Sequence, residues 1–525
     1  MSGPAAAVPG RAVDVRRVGT RALIVDLPDL ATVMDWHAAL SAAPLEHQTD
    51  AVAAARTVLV TFDSPLATTA AIDTLRGFHP GAAERATPRD IEIEVLYDGA
   101  DLAELATTLG MGTDELVEWH TSTTWVAAFG GFAPGFTYCV PDNAGAALSV
   151  PRRSSPRTAV PAGAVALAGE FSAVYPRTSP GGWQLIGTTR TPMWDSAATP
   201  PALVAPGDRV RYVAVDTLPA DESTSHFHLD RPPRRPIFTV DDPGLQTLYE
   251  DLGRQGNGNL GVTTSGSSDR ASARTANAAV GNHRNATLLE NVGGLTLTAL
   301  AETVVCVTGA DTDVTVSGRP VPLAMPVIVP AGAELFVAPQ RTGMRNYVAV
   351  RGGLIADTEL GSAATDMLSG LGPVPLCEDD TISMSLTPPS SANALLSNPL
   401  RVRRDASGTV GVVRCVLGPR DDWFSPAAVE SFLSTTFTVG FDSNRVGLRL
   451  ESNHPIERSR GGELPSEGMV AGSVQIPPSG QPVVFLRDHA VTGGYPVIAT
   501  VINEDVDIAA QLPPGGKIRF ELYPL

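Results

Sequence analysis

Apolar residues in this chain come in short runs, many of them cut off by glycine or proline. Ala22 to Leu27 and Thr57 to Phe62 are mostly apolar runs of strand length, and Val33 to Ala42 between them reads as a helix. These elements predict a small α/β lobe over residues 1–88. Ile91 to Tyr97 is the next strand. A helix then starts at Asp101, with Leu102, Leu105, Ala106 and Leu109 on one face and Gly110 as its stop, and Thr113 is expected to cap a second helix. From Ala127 to Asp216 the pattern is strand after strand, so a β domain is expected over residues 89–215. Residues 216–236 lose all apolar period and carry Arg231-Pro-Pro-Arg-Arg-Pro236, which reads as a linker. Beyond it, strand-like runs recur at Thr303–Val307, Glu334–Val337, Asn346–Val350, Val410–Leu417, Val483–Leu486 and Val497–Ile502. The Pro/Ser-rich stretch Thr387–Pro399 divides this second half into 237–390 and 391–525.

Three blocks recur in the same order in the two halves. Pro161-Ala-Gly-Ala-Val165 is similar to Val470-Ala-Gly-Ser-Val474, Gly181-Gly-Trp-Gln-Leu-Ile-Gly-Thr188 to Gly493-Gly-Tyr-Pro-Val-Ile-Ala-Thr500, and Pro206-Gly-Asp-Arg-Val-Arg-Tyr212 to Pro514-Gly-Gly-Lys-Ile-Arg-Phe520. Shared order and spacing imply two barrel-like β domains of one design. Each Gly-Gly-aromatic loop is either a structural turn or a ligand loop presenting backbone N–H groups.

Composition narrows the chemistry. Gly (50) and Pro (44) are well above their usual joint share of about 12%, while aromatics are only 6%, so turns are frequent and the protein is mainly β. A formal charge of −18 opposes general nucleic-acid binding, and Asp101, Glu104, Asp114, Glu115 and Glu118 give the helix pair the wrong sign for a DNA phosphate backbone. The Ala/Pro-rich first 17 residues lack the apolar core of a signal peptide, and no run approaches ~18 apolar residues; a cytoplasmic protein without membrane association is expected. Cys139, Cys306, Cys377 and Cys415 are far apart and read as buried reduced thiols, and His226 and His228 lie in the linker without a third ligand. Every basic residue is Arg except Lys517, which Ile518 follows, so there is no Walker A loop. Anion handling falls to Arg or backbone N–H groups.

Two segments concentrate chemistry. Phe129-Gly-Gly-Phe-Ala-Pro-Gly-Phe-Thr-Tyr138 packs four aromatics around a Pro-Gly turn, as a barrel corner or as a pocket wall. Pro151-Arg-Arg-Ser-Ser-Pro-Arg157 sets three Arg on a rigid segment. With Val160-Pro-Ala-Gly163 and Ser179-Pro-Gly-Gly-Trp183, these motifs make the first half similar to the KipI family, the B subunit of prokaryotic 5-oxoprolinase. The second half resembles the KipA family, the C subunit of that enzyme, through Ser265-Gly-Ser-Ser-Asp269, Val280-Gly-Asn282, Arg351-Gly-Gly353, Arg445-Val-Gly-Leu-Arg-Leu450, Gln475-Ile-Pro-Pro478 and Gly493-Gly-Tyr-Pro496. The order also resembles the carboxyltransferase region of urea amidolyase, and an older name for the two families is allophanate hydrolase subunits 1 and 2.

The resemblance implies a mainly β fold with α+β parts, in which each half holds a cyclophilin-like barrel. It implies a B–C fusion of an ATP-dependent amidohydrolase that opens 5-oxo-L-proline to L-glutamate, using ATP with Mg2+ and a separate LamB/YcsF-type partner subunit. The alternatives are a biotin-dependent carboxyltransferase component acting on urea or a related amide, and a regulatory protein binding a histidine kinase. No Ala-Met-Lys-Met carrier signature is present, so no covalent biotin is expected on this chain; a homo-oligomer stays open. His120 matches a family histidine and is the acid/base candidate, with a structural hydrogen bond as the other reading. Asp269 and Asp488 are candidates to hold a metal ion or polarise a nucleophile, or simply cap turns. Arg153, Arg157 and Arg445 are the anion anchors, and Gln475 the amide contact. Phe132, Gly135, Phe136, Tyr138, Gly181, Gly182, Trp183, Ser265, Gly266, Gly493, Gly494 and Tyr495 are expected to line a cleft shared by the two halves. The chain departs from the family at Ala490 and Val491, where Gln and Thr are usual, and at Ala363, where Arg is usual.

Overall fold

The computed structural model describes residues 13–80, 87–219 except 144, 146, 154 and 156, 234–386, and 410–525 except 463. At the N-terminus Asp14–Val18, Ala22–Asp26, Gln48–Ala53 and Thr57–Phe62 form an antiparallel sheet in the order first, second, fourth, third. Helices Leu30–Ala42 and Pro65–Arg76 accompany it, each capped by a side chain: Asp29 accepts from the Thr32 N–H and Ser64 from the Ala67 N–H. Alternation along the strands splits the sheet's apolar residues between two partners. Leu23, Val25, Val58 and Val60 join Trp36, Leu40 and Leu75 in a core continuous with Phe129, Phe136, Tyr138 and Trp183 of the next domain. Ile24, Val52 and Leu59 turn the other way and meet Val491 near the C-terminus. Two strands of this sheet, Asp14–Val18 and Gln48–Ala53, escape the sequence reading because charged and polar residues interrupt them.

The first barrel consists of β1 (Asp90–Val95), β2 (Trp125–Gly130), β3 (Thr137–Pro141), β4 (Ala164–Ala168), β5 (Phe171–Val174), β6 (Gln184–Thr188) and β7 (Arg209–Ala214). Its order is β1-β6-β4-β5-β3-β2-β7, with β7 parallel to β1 and a Leu96–Thr188 bridge closing the circuit. The C-terminal barrel consists of β8 (Val410–Leu417), β9 (Phe437–Val439), β10 (Gly447–Glu451), β11 (Ser473–Gln475), β12 (Val483–Phe485), β13 (Val497–Val501) and β14 (Lys517–Leu522). It closes as β8-β13-β11-β12-β10-β9-β14 with β14 parallel to β8, the same circuit strand for strand. The repeated blocks sit at matching places. Gly163 (φ +79°) and Gly472 (φ +94°) both turn so tightly that a Cβ would strike the Thr189 or Val501 carbonyl, one strand away.

Between the barrels, a seven-stranded and a five-stranded sheet share one core that includes Phe238, Leu297, Val305, Leu335 and Val348. Helix Arg270–Ala279 packs Ala273, Ala276 and Ala279 on Cys306, Tyr347 and Ala349. The helix Leu102–Leu109 ends at Gly110 with φ +75°, while the second helix, Thr113–Ser122, has Gly112 rather than Thr113 as its cap. The expected linker is shorter at its end, because Arg234, Arg235 and Pro236 belong to a strand, Arg234–Asp242, paired with Thr381–Ser385. His226, His228 and the divider Thr387–Pro399 lie outside the described residues. Three cysteines are buried thiols, but Cys377 is exposed, on a turn after Pro375. No described helix is long and apolar enough to cross a membrane.

Candidate functional site

The N-terminal sheet, the turn before helix Arg270–Ala279 and the rim of the C-terminal barrel enclose a cleft of about 320 Å3. Its floor is set by backbone strain and charge together. Ser265 adopts φ +52° and Gly266 φ +88°, and a Cβ on Gly266 would lie 2.6 Å from the Gly253 nitrogen, so the turn needs glycine there. The Ser265 hydroxyl donates to Asp488 Oδ1 at 2.7 Å. Asp488 Oδ2 in turn accepts from Arg445 Nε at 2.9 Å and from the Met367 N–H at 3.1 Å. Arg445 also binds Ser268 Oγ at 2.7 Å, the Gly266 carbonyl at 2.9 Å and the Glu290 carboxylate, which Arg345 approaches at 3.2 Å. Below the cleft, therefore, a fully buried ion network holds the Ser265 turn to the C-terminal barrel.

The cleft wall is cationic. Arg487, 4% exposed, spends its terminal nitrogens on Asp507 (2.8 Å) and Asn503 Oδ1 (3.4 Å), yet its Nε–H has no acceptor. Arg270 donates to the Ser265 carbonyl at 2.9 Å and likewise leaves a buried Nε–H unpaired. Burial and the neighbouring Arg487 push its guanidinium down to about 9. His489 contacts the Ala490 carbonyl through Nδ1 at 2.8 Å, so Nδ1 carries the proton and Nε2 is left as an acceptor facing the Thr263 hydroxyl at 3.3 Å. Burial lowers this imidazole to about 4, so it is neutral near pH 7. Opposite, burial raises Asp50 to about 6 although its oxygens accept from the Gly258 and Ala51 N–H groups. A neutral base, a carboxyl titrating near neutrality and under-paired cations around a polar cleft are the ingredients of general acid–base chemistry on an anionic substrate.

Of the residues singled out in the sequence, Ser265 lines this cleft, Gly266 shapes it, and Asp488 and Arg445 lie beneath. The others fall elsewhere. His120 is sealed in the first barrel, with Nδ1 on Tyr97 OH (2.7 Å), Nε2 on Ser172 Oγ (2.9 Å) and its ring stacked 4.3 Å from Tyr212, and burial drops it to about 3. The duplication explains it: Phe432 and Phe520 stack at 4.4 Å in the C-terminal barrel, with the same 26° between planes. The counterpart of Tyr212 is Phe520, and a phenylalanine does the packing that His120 does. Arg153 and Arg157 are not free anchors, because both bind Asp101, at 2.5 and 2.7–2.8 Å. Asp269 is the N-cap of its helix, accepting from Ser272 and from Gln511 Nε2 at 3.0 Å.

The aromatic turn is a docking element rather than a cleft wall. The Phe132 N–H donates to Thr492 Oγ1 at 3.2 Å and the Gly135 N–H to the Leu260 carbonyl at 3.2 Å, tying the first barrel to the second half. Phe136, Tyr138 and Trp183 form an aromatic cluster with centroids 5.1–5.5 Å apart. Gly181 packs under the Tyr175 hydroxyl, and the Gly182 carbonyl accepts from the Arg153 N–H. Gln475 binds the Tyr495 carbonyl at 3.1 Å and packs on Gly493, Gly494 adjoins the Leu464 carbonyl, and Tyr495 lies half exposed beside Arg458. Sequence reasoning missed Arg270, Arg487, His489 and Asp50. The only signal for the first three was their position next to Asp269 and Asp488, already singled out.

Residues 13–204 match the family described as carboxyltransferase domain, subdomain C and D, and residues 260–522 match carboxyltransferase domain, subdomain A and B. Over 289 residues the chain is 31% identical to the C subunit of 5-oxoprolinase from Escherichia coli strain K12, covering 53% of this chain and 88% of that one. Over 207 residues it is 36% identical to the B subunit of 5-oxoprolinase from Escherichia coli O157:H7, covering 37% and 93%. The urea amidolyase of Lachancea kluyveri is 30% identical over 306 residues, 54% of this chain but 17% of that protein. Among solved structures, the crystal structure of TTHA0988 superposes with a TM-score of 0.83 at 33% identity, covering 95% of this chain and 99% of that one. The chain therefore belongs to the carboxyltransferase-domain family that includes the B and C subunits of 5-oxoprolinase and urea amidolyase, with its B-like and C-like halves joined in one polypeptide.

Proposed function

We propose that the protein is the B–C component of an ATP-dependent 5-oxoprolinase, opening 5-oxo-L-proline to L-glutamate in the cytoplasm together with a LamB/YcsF-type partner subunit. The observation that carries this reading is the pairing of both halves around one cleft whose wall holds under-paired guanidiniums and a neutral histidine. The donor set fits anionic oxygen, whether phosphoryl or carboxylate. In this reading Mg2+ would enter with the nucleotide's phosphates. ATP supplies the phosphoryl group that activates the lactam carbonyl. In this reading Arg270 and Arg487 neutralise charge, His489 Nε2 accepts a proton from the attacking water, and Asp488 with Arg445 fixes the Ser265 turn against the cleft.

Purified chain mixed with a LamB/YcsF-type partner is expected to release phosphate and L-glutamate when given ATP and 5-oxo-L-proline, and to be weak alone. No 5-oxoproline-dependent ATP hydrolysis in the mixture, unrescued by Ala490→Gln with Val491→Thr, would overturn the reading. His120→Phe is expected to cost about 1–3 kcal/mol of stability in urea unfolding, because the Tyr97 and Ser172 hydroxyls lose their partner. Its turnover in the phosphate-release assay should stay near that of the parent, whereas loss of a general acid or base would slow it by about 100-fold or more.

A further inference from the structure

We propose that Arg270 and Arg487 form a seat for a single oxyanion in the cleft that both line, their guanidiniums being under-paired by the protein itself, since each leaves its buried Nε–H without an acceptor. Three guanidiniums converge here, since Arg274 follows Arg270 by one helical turn and also lines the cleft. The acids around the cleft are already engaged: Asp50 accepts from the Gly258 and Ala51 N–H groups, and Asp63 pairs with His47 at 2.9 Å. Asp507 serves Arg487 through one oxygen and the Ala271 N–H through the other. Asp251, which also acts on Arg270, accepts from Ser362, Gly253 and Ala363. A buried donor without an acceptor is costly, and two of them on mutually repelling cations form a site that an added anion completes. Arg254 and Arg345 also leave a buried N–H without an acceptor, but neither lines the cleft, and two further buried arginines are enclosed by carboxylates. Arg445 is enclosed by Asp488, Glu290 and Glu250, and Arg420 by Glu467 and Asp26, so neither has capacity for a ligand.

The surroundings describe the rest of the ligand. Val18, Val52, Val491 and Met469 line the same cleft, so a small apolar body beside the charged end is accommodated. His489 Nε2 and the Thr263 hydroxyl stand on the same wall to address a polar group next to it. In a protein of formal charge −18 this local positive site also focuses the field for an incoming anion. The oxyanion is either the carboxylate of an amino-acid-like amide or a phosphoryl group of a nucleotide. Only that choice rests on the 5-oxoprolinase reading.

The test is calorimetric titration of the full chain with inorganic phosphate, 5-oxo-L-proline and ATP in separate arms at low salt. Phosphate is expected to bind the parent protein, and Arg270→Gln and Arg487→Gln are each expected to weaken it about 10- to 100-fold, as loss of a charge-assisted hydrogen bond dictates. Arg341→Gln, at a surface ion pair with Asp311, should leave it unchanged. Competition by 5-oxo-L-proline identifies a carboxylate seat; competition by ATP alone identifies a phosphoryl seat. Equal phosphate affinity in the parent and in either folded Gln variant, or no phosphate binding to the parent, overturns the seat. Intact binding with no 5-oxoproline-dependent turnover would leave the seat standing and reject the 5-oxoprolinase reading instead.

Discussion

Arg445→Met is expected to lower unfolding stability by about 3–5 kcal/mol, more than any other single change at the site, because it strips the partner from buried carboxylates. The charge count explains the size. Glu250, Glu290 and Asp488 face Arg445 and Arg345. Burial, with Glu290 and Asp488 adding to it, drives Glu250 well above the usual carboxylate range, and neither of its oxygens accepts a hydrogen bond even though Arg445 Nη2 approaches to 2.9 Å. Arg445 thus offsets chiefly Glu290 and Asp488, with Arg345 beside it at Glu290. Removing Arg445 leaves Asp488 without its counter-ion and Ser265 without a fixed acceptor, so turnover should fall along with stability. Denaturant unfolding followed by tryptophan fluorescence measures it; a loss below about 1 kcal/mol would mean that the network is not a charge-balanced unit.

The second large effect lies at a corner that the two barrels share. Asp101 donates its N–H to the Leu185 carbonyl at 3.0 Å, and its carboxylate takes Arg157 and Arg153. At the matching corner Arg420 donates its N–H to the Val497 carbonyl at 3.2 Å, and its guanidinium takes Glu467 and Asp26. Arg157 and Glu467 correspond too, since each pairs across a two-stranded ribbon with the first glycine of a Gly-Gly loop, Gly181 or Gly493. The position wants a buried ion between two opposite ions, and either sign will do. Asp101→Arg alone should cost about 3–5 kcal/mol. Adding Arg153→Asp and Arg157→Glu should return most of that, short by about 1 kcal/mol for the Leu185 N–H that Asp101 accepted. A triple variant no more stable in urea than the single one would show that the two corners are not interchangeable.

What can be read from the sequence follows from how local each signal is. Strands Thr57–Phe62 and Val410–Leu417 are legible to the residue because apolar residues dominate their runs, and the barrels are legible as a pair because three turn-bearing blocks repeat. Arg153 and Arg157 pass for free anchors in the sequence because their partner, Asp101, is over fifty residues away and has the look of a helix start. His120 misleads for a related reason: only its counterpart in the other barrel reveals packing, and Phe432 has no sequence likeness to it. The cleft opens against a different partner from the one the motifs suggest. Its outer wall is the N-terminal sheet, whose Asp50 sits in the polar half of Gln48–Ala53 and gives no strand signal.

The opposite polarity of the two corners also bears on how the chain reaches its fold. Two barrels with one strand circuit, tethered in one polypeptide, are prone to exchanging equivalent segments while folding, a characteristic failure of repeated domains. Here a wrong exchange is self-rejecting. The ribbon bearing Arg157, docked in the C-terminal barrel, would press its guanidinium on Arg420, and the ribbon bearing Glu467, docked in the first, would meet Asp101. Like charges would meet in a largely buried corner, so charge sign sorts each segment to its own barrel.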